Sequence, residues 1–365
     1  MREYNMFKFK PIALIISGSV LLLTGCSTAQ LSNVQQNRGN YNVALNQSDN
    51  EQFLLNIVRM RFDRSPFFIG VDSITTQTTL SYNTGGEDTK VGNITSGGTG
   101  AFYNFQPNIE FKHTPTVTYS PLQGTSYISG LLAPITVVQF NYLVQTNLNL
   151  ASTFKLTVDN IGTLSNLADT WERDGSDGYS TGASFNHLVD FIDQSRVNGK
   201  LGLFATNYQN NPALVLLMKD DATAAQVSKE LQLDKTYRKI ILSPMLSTLK
   251  SGNVVQFRTR SFFAVLNFLS YGVDTSAKDE KKFGVPSNEL KVQDQMTDSL
   301  FRLRSSDTSP MNAYTKVSYE GRWYYLTNDD ITSKTTLMFL KLIYSLEAGE
   351  VNTNPWGTLD MQITN

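Results

Sequence analysis

The chain contains a single cysteine, Cys26, and this restricts how a fold can be stabilised. Without a second thiol no disulfide can form within the chain, and a cysteine-rich structural metal site is excluded. The fold must therefore depend on a hydrophobic core. The 365 residues, 40% of them hydrophobic, are enough for one large domain or two ordinary ones.

The charges nearly cancel along the chain. There are 31 basic side chains against 32 acidic ones, which gives a net charge of −1. This balance provides no basic surface for extended binding to DNA or RNA. We therefore expect no nucleic acid among the partners.

The first 25 residues have the layout of an export signal. A basic start is followed at 11–23 by an apolar run without any charge, and the basic residues are Arg2, Lys8 and Lys10. The run is shorter than the roughly 20 residues that span a bilayer. The pattern therefore predicts a removable signal peptide over residues 1–25.

The residues Leu-Thr-Gly-Cys at 23–26 resemble the bacterial lipobox. The resemblance implies cleavage before Cys26, attachment of diacylglycerol to its thiol and acylation of the new amine. Several acyl chains anchor a protein firmly without any membrane-spanning segment. Ser27 occupies the position where an aspartate would indicate retention at the inner membrane of enteric bacteria, so we expect the periplasmic face of the outer membrane. An ordinary signal peptide with a coincidental cysteine is the alternative.

The mature chain is predicted to have three regions. Residues 26–47, rich in Asn, Gln and Ser, are expected to be the lipidated cysteine and a flexible tether. Two parts follow at 48–173 and 184–365, on either side of a polar run at 174–182. Because strands and helices are mixed irregularly, we predict an α+β fold with packed helices and mostly antiparallel strands, as one large or two closely associated domains.

Local patterns predict the individual elements. A capping box at 48–51 should start a helix that Pro66 ends. The stretches 67–82 and 102–119 should pair as strands around a glycine-rich connection at 84–100. Further helices are predicted on either side of Pro134, at 185–196, 222–232 and 261–271 and after Asp330, and further strands at 154–158, 201–206, 213–218, 237–242, 253–260 and in a hairpin over 315–326.

Several segments resemble an uncharacterised group of predicted lipoproteins from Gram-negative bacteria. They keep their order along most of the mature chain: 50–61 with 66–68, then 119–122, 260–261 and 321–325. The resemblance implies a shared fold and a location in the cell envelope, and it implies no particular activity. The tail at 359–363 departs from the proline- and leucine-rich end of that group.

Six side chains are candidate contacts for a ligand or partner: Arg59, Arg61, Arg64, Arg322, Trp323 and Tyr324. Arginines could bind the carboxylates of a glycan or a protein, and aromatic rings could stack on a sugar. The structural alternative, which we favour, is that the arginines cap a helix end and pair with Asp63 while the rings pack in a core. For Arg258 and Arg260 the same two interpretations apply.

The sequence gives no recognisable catalytic pattern. The two histidines, His113 and His187, lie far apart in a predicted strand and a predicted helix, so a metal site is not expected. The Gly-x-Ser-x-Gly spacing of serine hydrolases occurs once, at 178–182, but it lies inside the polar run and not directly after a predicted strand, where the motif of these enzymes belongs. Adjacent acids at 220–221, 279–280 and 329–330 border predicted helices, where they stabilise N-termini. We therefore predict no catalytic residue, no metal and no cofactor.

These observations favour a non-catalytic, structural or accessory component of a cell-envelope assembly. Its partners would be the membrane, through the lipid on Cys26, and other envelope proteins. Two alternatives stay open: a hydrolase of peptidoglycan or polysaccharide that uses scattered carboxylates, and a glycan-binding module.

Overall fold

A computed structural model describes residues 38–84, 107–145, 149–166, 180–245, 252–283 and 299–348. In these ranges the helices are α1 (38–61), α2 (Thr125–Leu132), α3 (Val137–Gln145), α4 (Leu150–Thr157), α5 (Ser180–Val197), α6 (Asp221–Glu230), α7 (Phe262–Ser270), α8 (Ala277–Phe283) and α9 (Ile331–Ala348). The strands are β1 (Ile69–Thr84), β2 (Pro107–Pro121), β3 (Val158–Ile161), β4 (Leu164–Ser165), β5 (Leu201–Tyr208), β6 (Asn211–Met218), β7 (Lys239–Ser243), β8 (Val254–Thr259), β9 (Arg304–Ser306), β10 (Ala313–Tyr319) and β11 (Arg322–Thr327). The predicted α+β class is confirmed.

The chain divides into two compact units. The first consists of Met1–Pro66 and Pro134–Tyr344, and the second of Phe67–Ala133 and Ser345–Asn365. In the predicted linker at 174–182, residues 174–179 lie outside the described residues, and residues 180–182 belong to α5. The predicted division at this linker stays a prediction.

Two sheets organise the first unit. The larger has six strands in the order β4-β3-β8-β7-β6-β5, and only β7 and β8 run parallel within it. The smaller has the order β10-β11-β9 and is antiparallel. Phe140 of α3, Phe154 of α4 and Phe257 of β8 meet edge to face with ring centroids 5.0 to 6.1 Å apart. These rings are buried and form the centre of the core beside the larger sheet.

Helix α1 is longer than the sequence pattern predicts. It is already helical at residue 38, so residues 38–47 are not the tether that their polar composition indicates. Lys341 of α9 donates to Asn46 Oδ1 and Asn50 Oδ1 at 2.9 Å each, and these contacts stabilise the added turns. At its other end the helix stops before Asp63, whose φ of 54° is left-handed.

Helix α4 occupies 154–157 of the strand predicted at 154–158, and Val158 begins β3. Asn149 accepts a hydrogen bond from the Ser152 N–H at 3.0 Å and caps the helix start. The alternation of Phe154, Leu156 and Val158 is real, and all three are buried. The prediction was wrong because the helix buries nearly its whole circumference, so that alternate residues are apolar without any strand.

Helix α9 begins directly after Asp330, as predicted. Leu337, Leu340 and Ile343 are buried, whereas Met338 and Leu342 are exposed. The helix therefore buries one face only. Among the described residues, no helix has both the length and the hydropathy to cross a membrane.

The second unit contains the predicted pair of long strands, which is confirmed. β1 and β2 form a two-stranded antiparallel ribbon, with a bulge at Asp72 between Val71 and Ser73. No ribbon side chain that the structure describes is buried. A two-stranded ribbon is marginally stable by itself in water.

Candidate functional site

Three of the six candidate contact residues, Arg61, Arg322 and Tyr324, lie close together near Phe62, although they come from the two ends of the sequence. The ring of Phe62 lies 6.2 Å from the ring of Tyr324 and 6.0 Å from that of Tyr319. Phe62 follows α1 directly, and the two tyrosines lie on β11 and β10. We call this group the arginine–aromatic cluster: Arg61, Phe62, Asp279, Tyr319, Arg322 and Tyr324.

Arg322 is held by three groups of its own unit. Its Nη1 lies 3.1 Å from Asp307 Oδ1, its Nη2 donates to Ser305 Oγ at 3.2 Å, and its Nε lies 3.6 Å from Asp279 Oδ2. The Asp279 side chain is 14% exposed and that of Asp307 is 85% exposed. Because an exposed ion pair contributes little, the buried carboxylate of Asp279 is the main electrostatic partner of Arg322.

Asp279 also organises the helix on which it lies. Its Oδ2 accepts from the Ser276 N–H at 3.2 Å, and the Asp279 N–H donates to Ser276 Oγ at 3.2 Å. This reciprocal pair is a capping box at the start of α8. One carboxylate therefore connects α8 to the Arg322 guanidinium.

The three arginines near the end of α1 differ in exposure. Arg61 is buried, Arg59 is half-buried and donates to Asn56 Oδ1 at 3.3 Å, and Arg64 is exposed. Of the three, only Arg64 offers a freely accessible charge on the surface.

Tyr324 lies inside the cluster, 1% exposed. Burial raises the pKa of its hydroxyl, and the nearby Asp279 carboxylate raises this pKa further, while Arg322 and Arg61 act against both. Leu326 is buried on the same side of β11, so the prediction that one face of this strand packs in a core is confirmed. Trp323 is half-buried, and Lys316 Nζ lies 5.5 Å from its ring centroid.

The roles of Arg64 and Trp323 as contacts stay predictions. Both present some surface, and the buried members of the cluster hold the strand and helix end from which they project. An exposed cation can bind a carboxylate, and an accessible aromatic ring can stack on a sugar face. Neither side chain provides a nucleophile or a general base.

Arg260 is a candidate from the sequence, but the sequence does not reveal that its guanidinium binds three backbone carbonyl groups. It is 4% exposed, its Nη1 donates to Lys155 O at 2.9 Å and to Leu156 O at 3.0 Å, and its Nη2 donates to Asn166 O at 3.2 Å. Its guanidinium lies 4.0 Å from the Phe268 ring centroid. Burial lowers the pKa of Arg260 to about 10, so it remains charged at neutral pH. Arg258, in contrast, is exposed and pairs with Asp159 at 2.6 Å.

The predicted capping roles of the acidic pairs are confirmed by one member of each. Asp220 accepts from the Thr223 N–H at 2.8 Å, and Asp330 accepts from the Ser333 N–H at 2.9 Å. The corresponding acid of the third pair is Asp279 in its capping box. His187 lies on α5 with its Nδ1 3.1 Å from Glu230 Oε1, and His113 lies on β2. Within the described ranges, no three His, Cys, Asp or Glu side chains come together as a metal site.

Cys26 lies outside the described residues. Comparisons with protein-family models, with curated proteins and with solved structures found no match to this chain.

Proposed function

We propose that this protein is a lipoprotein anchored through Cys26 to the periplasmic face of the outer membrane. It acts there as a non-catalytic, structural or accessory component of a cell-envelope assembly. The observation that carries the proposal is the lipobox-like sequence at 23–26, placed directly after a basic start and an uncharged apolar run. The envelope proteins around it are the expected partners.

The ribbon of the second unit supports a role in binding. β1 has 16 residues, which at about 3.4 Å per residue extend over roughly 50 Å. The described side chains of the ribbon are exposed or half-exposed, and they include Ile69 and Val71 of β1 and Tyr119 of β2. A long two-stranded element of this kind offers backbone and side-chain surface to other proteins.

The anchor is tested by replacing single residues at the lipobox. We expect Cys26→Ser to abolish lipid attachment and to remove the protein from the outer-membrane fraction, while Ser27→Ala leaves both unchanged. In an enteric host, Ser27→Asp should move the lipidated protein to the inner membrane. Mass spectrometry of the N-terminal peptide, with membrane fractionation, measures these outcomes. An unmodified Cys26 in the wild-type protein would refute the anchor.

The assembly role needs a separate test. The tagged full chain is purified from native membranes in mild detergent, and the copurifying proteins are identified by mass spectrometry. We expect a reproducible set of envelope proteins that is lost with Cys26→Ser. Particles that contain this chain alone, in whatever copy number, would contradict the assembly role. Binding assays with peptidoglycan fragments, comparing Arg64→Ala and Trp323→Ala with wild type, would then test the glycan-binding alternative.

A further inference from the structure

The outer edge of β2 is blocked by prolines. The Leu122 N–H donates to Phe68 O at 3.0 Å, so the backbone groups of this residue face the β1 side of the ribbon. Along a strand, the backbone N–H and C=O groups of every second residue point to the same edge. The bulge adds its extra residue to β1 only, so this alternation continues unbroken along β2. The backbone groups of the odd-numbered residues of β2 therefore point outward, away from β1. Pro107, Pro115 and Pro121 are all odd-numbered, and none of them has an N–H to donate.

Among the described strands, none pairs with the outer edge of β1. Its outward-facing residues are those that pair with odd-numbered residues of β2. They include no proline, and those from Val71 onward each have both an N–H and a C=O on this edge: Val71, Ile74, Thr76, Thr78, Leu80, Tyr82 and Thr84. In the described sheet that contains it, β1 has β2 as its one neighbour. Natural proteins rarely leave so long an edge available, because it pairs with other strands.

We propose that β1 pairs antiparallel with β1 of a second copy of this chain. The product is a four-stranded sheet in the order β2-β1-β1-β2, with a twofold axis between the two central strands. Both of its outer edges are then β2 edges that carry prolines. Pairing stops at two copies because no open edge remains, and the ribbon gains the strands that a stable sheet needs.

The sequence of β1 suits pairing with itself. Asp72 is its one charged residue, and nine of its sixteen residues are Thr, Ser, Asn or Gln, so the strand carries no block of like charges. If two copies pair around the middle of the strand, their Asp72 residues lie about 30 Å apart. A charged partner strand would find no complementary charge pattern here. A second copy meets a polar surface that matches its own.

The first test uses the two members of one cross-strand pair, Ile74 and Val117. Both have outward-facing amides, Ile74 on the open edge and Val117 on the blocked edge, and both side chains are half-exposed. We expect Ile74→Pro to raise the dissociation constant of the dimer at least about tenfold, because it removes a donor and places a ring in the interface. Val117→Pro is the matched control and should leave that constant unchanged. Sedimentation equilibrium of the full chain in mild detergent measures both, with circular dichroism to check folding.

The second test fixes the direction of pairing without disturbing the edge. A photo-crosslinking amino acid is placed at Ser73 or at Gln77 in the full chain, and the crosslinked band of twice the chain mass is mapped by mass spectrometry. Antiparallel pairing predicts that moving the probe from 73 to 77 shifts the crosslinked residue of the other copy about four positions towards its N-terminus. Parallel pairing predicts a shift in the opposite direction.

Three results would overturn the proposal: a monomer at all accessible concentrations, a dimer equally sensitive to both prolines, or crosslinks outside β1. A loss of dimer by Ile74→Pro alone, with antiparallel crosslinks, would establish it. The proposal does not depend on the lipid anchor, since the fractionation test and the mass measurement can succeed or fail separately.

Discussion

The guanidinium of Arg260 contacts the carbonyl oxygen of Leu156 at 3.0 Å, although the two residues are 104 positions apart. Leu156 lies in the last turn of α4, where the carbonyl groups have no partner within the helix. The backbone N–H of Arg260 also binds this turn, because it donates to Thr157 O at 2.7 Å. A buried cation therefore closes the C-terminus of α4 and joins it to the end of β8.

We expect Arg260→Met to lower the free energy of unfolding by about 3 kcal/mol or more, because it leaves buried carbonyl oxygens without their charged donor. Arg258→Met is the matched control. It removes an exposed ion pair with Asp159 and should cost less than about 1 kcal/mol. Urea unfolding followed by circular dichroism measures both values. Equal losses for the two variants would contradict the role assigned to Arg260.

A second prediction concerns the pH dependence of stability. Partial burial raises the pKa of Asp49, and the charge of Lys341 opposes this only in part. A raised pKa in the folded state means that the stabilisation from Asp49 is present below pH 3.8 and is lost as the pH rises through the folded pKa. Asp49→Asn should therefore be more stable than wild type at neutral pH, by less than about 1 kcal/mol.

Asp220→Asn is the control with the opposite sign. The hydrogen bond from the Thr223 N–H lowers the pKa of Asp220, so its stabilisation is present above the ordinary value and is lost at lower pH. The Asn variant should be less stable than wild type at neutral pH and equal to it in acid. Thermal unfolding of both variants from pH 3 to 7 checks these slopes. Parallel curves for the two variants would refute the assignment.

The local elements were largely predictable because their signals lie close together in the sequence. Pro134 separates α2 from α3 as expected, and Glu320 with Gly321 forms the turn between β10 and β11. The turns added to α1 could not be predicted, since Lys341, which stabilises them, is nearly 300 residues away. The strand predicted at 154–158 failed for a related reason. The packing of Phe154 against Phe140 and Phe257 is tertiary, and it decides between helix and strand where the pattern permits both.

The arginine–aromatic cluster shows the same limit. The sequence identified Arg61, Arg322 and Tyr324 as notable, but no spacing rule connects α1 with β11. Asp279 was recognised only as a helix-capping acid. The blocked edge of β2 could have been predicted from the sequence, because Pro107, Pro115 and Pro121 lie at even spacings along the strand. That spacing places them on one edge once the strand is recognised.

A third prediction separates the two carboxylates of Arg322. Asp279→Ala should cost about 1–3 kcal/mol of stability, because it removes the buried partner of Arg322 and half of the capping box of α8. Asp307→Ala removes an exposed partner and should change the stability by less than about 0.5 kcal/mol. Chemical unfolding compares the two. A larger effect at Asp307 would show that the exposed pair dominates.

The last prediction concerns the end of α6, where Gln232 has a φ of 54°. The Gln232 N–H donates to Lys229 O at 3.0 Å, and the next N–H, of Leu233, donates to Ser228 O at 2.9 Å. This is the arrangement in which glycine is favoured, because a side chain in the left-handed region is strained. We expect Gln232→Gly to raise the free energy of unfolding by about 0.5–1 kcal/mol. Gln226→Gly makes the same replacement inside α6 and should lower it by about 1 kcal/mol, partly through loss of the contact with Glu230 at 2.8 Å. Urea unfolding distinguishes the signs, and a loss of stability in both variants would show that the left-handed residue is not strained.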